Sequence, residues 1–98
     1  MRETSIVNLS SIVVQSATPL SAQVAGRTVL MSTEQGKYYD LDTISTAVWQ
    51  HLSAPIAVTT LCAALAEQYE GDQTTIQSDV LTLLSTFLDH GLIDVHVG

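Results

Sequence analysis

Basic side chains are scarce. Arg2, Arg27 and Lys37 stand alone against ten carboxylates, for a formal charge of −7. A surface of that sign repels a phosphate backbone instead of releasing its counterions, which argues against a nucleic-acid partner and for a neutral or basic one. Cysteine is reduced to Cys62, so an internal disulfide and a thiolate metal cluster are both ruled out. On a helical face shared with Val58, Leu65 and Tyr69, a small thiol reads as core packing rather than as a nucleophile. No run of about 18 apolar residues is present to span a bilayer, and no basic region precedes an apolar stretch at the start. The expected setting is therefore the cytoplasm, away from membranes. A Gly-x-Ser-x-Gly elbow, a phosphate-cradling glycine loop and a zinc signature are all missing. His51, His90 and His96 fall at the ends of separate elements, and only the adjacent Asp89 accompanies one of them. For His51 and His90 the ordinary role is an interaction with the carbonyl end of a helix dipole. No catalytic residue, metal or cofactor is expected, and the chain reads as a non-catalytic protein.

What is abundant is apolar surface, 46% of 98 residues, enough for one core and one domain. Residues 1–10 show no clear period and read as a flexible or loosely paired lead-in to a domain over 11–98. A β-branched run, Ile12, Val13 and Val14, predicts a first strand over 11–17 with a turn at Thr18 and Pro19. Gly26 then precedes Thr28, Val29, Leu30 and Met31, a second strand over 27–32, and Glu34, Gln35 and Gly36 supply a turn into a third. The second half is helical. Val58, Leu61, Cys62, Leu65, Ala66 and Tyr69 form one stripe that Gly71 ends. A capping box at Thr74 and Gln77 starts a last helix, in which Ile76, Val80, Leu83, Leu84, Phe87 and Leu88 repeat up to Gly91. Residues 92–97 are long enough for a short terminal strand.

The predicted class is α+β: a three-stranded antiparallel sheet followed by three helices, in outline a winged helix-turn-helix. That outline usually raises DNA binding, yet the last helix offers no Arg or Lys to reach guanine or phosphate.

The most informative segment is Gly36, Lys37, Tyr38, Tyr39, Asp40, Leu41, Asp42 and Thr43. Tyr39 and Leu41 alternate with neighbours in the period of two of a half-buried strand, and Ile44, Ala47, Val48, Trp49 and Leu52 then switch to helical spacing. Asp42 or Thr43 caps that helix. The strand reads as a free sheet edge, with Tyr39 turned to the core and Tyr38 accessible. On the last helix Val80, Leu83, Leu84 and Phe87 cover more of the circumference than one neighbour needs. That breadth fits either a groove beside the third strand or a helix buried on two sides.

Those residues resemble the PqqD-like peptide-recognition domains, the RiPP recognition elements, and most closely the stand-alone kind of lasso-peptide biosynthesis. The resemblance runs over about residues 11–95 and rests on the Gly36–Thr43 junction, on Ala47, Val48, Trp49, Gln50, His51 and Leu52, on the stripe from Leu61 to Tyr69, and on Asp79, Val80 and Leu81 through Leu88, Gly91, Leu92 and Ile93. It implies a domain that binds the leader segment of a ribosomally made precursor peptide. It also implies a mode: the leader adds as an antiparallel strand to the third strand, at Lys37, Tyr38, Tyr39, Asp40 and Leu41, and lies against Ile76, Asp79, Val80, Leu83, Leu84 and Phe87 of the last helix. By the same resemblance the second partner is a separate transglutaminase-like cysteine peptidase. The alternatives are a winged-helix regulatory or dimerisation module and a non-catalytic subunit of another modifying enzyme.

Overall fold

The computed structural model describes residues 7–17, 19–33 and 35–97. Nine elements follow in order: β1 (Ser11–Gln15), β2 (Leu20–Val24), β3 (Arg27–Ser32), β4 (Lys37–Leu41), α1 (Thr43–His51), β5 (Ile56–Ala57), α2 (Val58–Gln68), α3 (Gln73–Asp89) and β6 (Ile93–Val97). The chain is thus mixed α+β with three helices and antiparallel sheets. Residues 1–6 of the expected lead-in lie outside the described residues, as do Thr18 and Glu34 of the two expected turns. Val7, by contrast, is buried in the core.

The single meander expected over residues 11–41 is instead divided between two three-stranded sheets, ordered β5-β1-β6 and β2-β3-β4. A two-residue hairpin explains the division. Ala25 and Gly26 both take positive φ, 54° and 81°, the geometry that matches the right-handed twist of flanking strands. It folds Leu20–Val24 back on β3, with Val24 opposite Arg27 and Leu20 opposite Met31. That edge of β3 is then occupied, and β1 pairs along its length with β6, Ser11 opposite Val97 and Gln15 opposite Ile93. The strands therefore do not all precede the helices, because β5 separates α1 from α2 and β6 closes the chain.

One core joins the two sheets. Val13 and Ile93 enter it from the β1 sheet, Leu30 and Leu41 from the other, and Val48, Leu52, Leu61, Leu65, Val80, Leu84 and Phe87 from the helical half. Trp49 meets Phe87 edge-on, ring centroids 5.9 Å apart, a favoured aromatic geometry. Capping fixes the helix ends. The Asp42 carboxylate accepts from the Ser45 N–H at 2.8 Å, as the sequence suggested for α1. For α3 the cap is Asp72, two residues before the expected Thr74. Its carboxylate accepts from the Thr75 N–H and hydroxyl, both at 3.2 Å. Aspartate is at least as good a cap as threonine, and the earlier start adds two residues to the helix. Gly91 ends α3 at φ 72°, with Leu92 N–H donating to Phe87 C=O and Gly91 N–H to Leu88 C=O, a Schellman closure.

Candidate functional site

Strand β4 lies at one side of its sheet, and among the described residues nothing pairs with its outer edge. In an antiparallel ladder every second residue of such a strand turns its N–H and C=O away from its neighbour. The register sorts the side chains. Lys37, Tyr39 and Leu41 sit opposite Ser32, Leu30 and Thr28, whose buried side chains define the inner face. Tyr38 and Asp40 point the other way, and Tyr38 is 70% exposed. Leu41 is buried and Tyr39 half-buried, so the strand is fixed to the core from one face while its edge stays open.

Helix α3 meets β4 at its C-terminal end. The contact is made by Tyr39, whose ring lies 4.6 Å from that of His90 at the end of α3 and whose hydroxyl is 3.2 Å from His90 Nδ1. The same hydroxyl donates to Gln35 Oε1 at 3.0 Å, which ties the strand, the turn before it and the end of α3 together. Three- and four-residue steps back from His90 reach Thr86, Leu83 and Asp79, the stripe of α3 that continues from this contact. Thr86 and Asp79 are exposed and Leu83 is half-buried.

At the opposite end the flank opens into a cavity of about 150 Å³ lined by Ile44, Leu65, Tyr69, Ile76, Asp79 and Val80. Its wall is apolar apart from Asp79, and Ile44 at its mouth is 45% exposed. Ile44 follows β4 by three residues, so the cavity lies near the Leu41 end of the strand, while the Tyr39–His90 contact marks the other end of α3. Of the α3 residues suggested by the sequence, Ile76 and Asp79 line the cavity, and the half-buried Leu83 lies on the stripe between it and His90. Val80, Leu84 and Phe87 are at most 3% exposed and are held in the core, although Val80 also reaches the cavity wall. Ile44, Leu65 and Tyr69 were not singled out as site residues. The signal for Ile44 was a large apolar side chain in the first turn, next to the cap.

The charges around the groove are few. Arg27 Nε meets Asp40 Oδ1 at 3.2 Å with both side chains more than half exposed, a pair that contributes little to stability. The backbone N–H of Ser45, and after it the Ser45 hydroxyl, hold the Asp42 carboxyl below its ordinary pKa. Burial pushes the Cys62 thiol up, toward the protonated and unreactive form. Among the described residues no cluster of His, Cys, Asp and Glu is placed to hold a metal ion. No helix among them is long and apolar enough to cross a membrane. What the site presents is unpaired backbone, a half-buried leucine between two polar residues of α3, and one apolar cavity, groups suited to an extended peptide.

The sequence matches the family of coenzyme PQQ synthesis protein D (PqqD) over residues 27–93, from the start of β3 to the first residue of β6, and the chain belongs to that family. Solved structures share its fold. TbiB1 in complex with the TbiA(beta) leader peptide superposes with a TM-score of 0.77 at 22% identity, covering 83% of this chain and 94% of that one. Lasso peptide synthetase B1 complexed with the leader peptide gives 0.75 at 20% identity, over 84% and 96%. The PqqD part of Methylobacterium extorquens PqqCD, a stand-alone RiPP recognition element, gives 0.70 at 19% identity, over 85% and 88%. No curated protein matches the chain.

Proposed function

We propose that this chain is a non-catalytic recognition element that binds the leader segment of a ribosomally made precursor peptide in lasso-peptide biosynthesis. The carrying observation is the open edge of β4, tied to the end of α3 through Tyr39 and His90 and followed in the chain by the apolar cavity at Ile44. In this reading the leader adds to Lys37–Leu41 as an antiparallel strand. Its N-terminal part then lies by Leu41 and the cavity, and its C-terminal part leaves beside Lys37, Tyr39 and His90. Two or three outward-facing residues of β4 supply roughly four to six backbone bonds at about 1 kcal/mol each. Association costs at least about 4 kcal/mol, so apolar anchors on Leu83 and in the cavity must provide the surplus. The bound peptide is handed to a separate transglutaminase-like cysteine peptidase, where the cleavage chemistry resides, in the cytoplasm. The winged helix-turn-helix outline, with the β2–β3 hairpin as wing, belongs to the same proposal.

Two kinds of support converge. Membership of the PqqD family is one, and two structures of the same fold were solved with leader peptides bound. The test is a calorimetric titration of the purified chain with synthetic leader segments of lasso precursor peptides from the same genome. Saturable one-to-one binding is expected, and its absence overturns the reading. Purified chain incubated with the precursor alone should leave it uncleaved.

A further inference from the structure

The cavity at Ile44 carries one charge in an otherwise hydrophobic wall. Ile44, Leu65, Tyr69, Ile76 and Val80 supply the apolar surface, and Asp79 is the one carboxylate among the lining residues. At about 150 Å³ the cavity has room for a single side chain, well short of the roughly 300 Å³ and more of pockets that take whole small molecules. Asp79 is exposed, and among the described residues no hydrogen bond or ion pair engages its carboxylate. The partial positive charges nearby are already met. Helices α1 and α3 both begin beside the cavity, and the carboxylates of Asp42 and Asp72 accept from their first turns. Full cations lie elsewhere: Arg27 is paired with Asp40, Lys37 stands at the other end of β4 from Leu41, and Arg2 is outside the described residues.

We infer that this cavity selects a lysine or arginine of the leader, its aliphatic stem lying on Ile44, Leu65 and Ile76 and its charged head at Asp79. This assignment rests on the leader-binding reading and adds the chemistry of the anchor. Charge complementarity selects the occupant. A long basic side chain divides into an apolar stem and a cationic tip, which matches a wall that is apolar apart from one carboxylate. A purely aliphatic anchor would cover the same wall but strip water from Asp79 without replacing it, the costly way to bury a charge. An acidic anchor would meet Asp79 directly, on a chain whose formal charge is already −7. Direction follows from the same charges. In the antiparallel mode the basic residue belongs to the N-terminal part of the paired segment, and the same peptide entered in reverse would set it beside Lys37. The two ends of β4 therefore discriminate orientation by charge, which the backbone bonds alone do only weakly.

The test measures Kd by calorimetry for a synthetic leader segment that binds the wild-type chain, and for copies of it in which each Lys or Arg of the N-terminal half is replaced in turn by Gln. Asp79→Asn removes the charge at nearly constant shape. Asp94→Asn, on β6, makes the same change in net charge away from the cavity. At low ionic strength Asp79→Asn should weaken binding about fivefold and Asp94→Asn by less than about 1.5-fold. One Gln copy should bind the wild-type chain about fivefold more weakly and lose nothing further with Asp79→Asn, the non-additivity of a direct pair. Salt at about 0.5 M should shrink the Asp79→Asn loss below about twofold. Both variants should melt as the wild type does, since both side chains are exposed. Wild-type affinity in Asp79→Asn, an equal loss for every Gln copy, or tight binding of a leader with no Lys or Arg in its N-terminal half each overturns the basic anchor and leaves leader binding standing. A wild-type chain that binds no leader segment overturns the peptide reading, and the anchor with it.

Discussion

Replacing Ile44 with alanine separates binding from folding. Its side chain is 45% exposed at the mouth of the apolar cavity, leaving roughly 80 Å² that a peptide anchor would cover. At about 25 cal/mol per Å² this area contributes about 2 kcal/mol to binding, and alanine retains only about a third of it. The loss, about 1.4 kcal/mol, is a tenfold rise in Kd. Stability responds differently, because lost packing is partly offset by alanine's advantage of about 0.4 kcal/mol within a helix. A net destabilisation below about 1 kcal/mol lowers Tm by less than about 6 °C in a domain of this size. Leu84→Ala provides the contrast. Leu84 has no exposed surface, so its truncation costs about 3 kcal/mol of stability and affects binding only through the fold. Calorimetry with the leader peptide and a thermal melt of each variant make the comparison. Unchanged affinity in Ile44→Ala would refute the role of the cavity, and a melt as damaged as that of Leu84→Ala would refute the separation.

Three further outcomes follow from the same geometry. Asp72→Ala should lose about 1 kcal/mol in denaturant unfolding while Thr74→Ala stays within about 0.3, since only Asp72 caps α3. Asp42→Ala should lose a similar amount near neutral pH. Because the folded carboxyl titrates below its ordinary value, its contribution is complete above the usual carboxylate range and vanishes as pH falls through the lowered value, so unfolding curves of variant and wild type should converge in acid. Backbone N-methylation scanned along the leader should weaken binding about tenfold at alternate positions, the period of a strand paired on one edge, and a flat profile would argue against strand addition.

Local pattern made part of this structure legible in the sequence. Alternation in 37–41, a cap at Asp42 and the apolar repeat of α3 are short-range signals, and each is visible in the fold. Sheet membership was not local. Residues 11–15 carry the same β-branched signal whether they pair with 27–32 or with 93–97, and the decision lay in a two-residue turn at Ala25 and Gly26, where alanine is an unusual occupant of positive φ. Strand β2 shows alternation in Leu20, Ala22 and Val24 that goes unread when apolar alternation is taken to mean burial. Two β5 residues are too few to carry a period. At the site, the width of the α3 arc left groove and core undivided. Burial separates Leu83 from Val80, Leu84 and Phe87, and the contact that ties the end of α3 to the strand joins Tyr39 and His90, 51 residues apart.

The central claim, that a leader peptide joins the sheet at β4, is tested most directly by residue-resolved amide exchange with and without saturating leader. The account predicts that alternate amides within Lys37–Leu41 slow by at least tenfold, with accompanying chemical-shift changes at Ile44, Asp79, Leu83 and Thr86 and none along β6. Protection that appears on β6 or β2 instead, or at no strand edge while calorimetry shows the peptide bound, would contradict it.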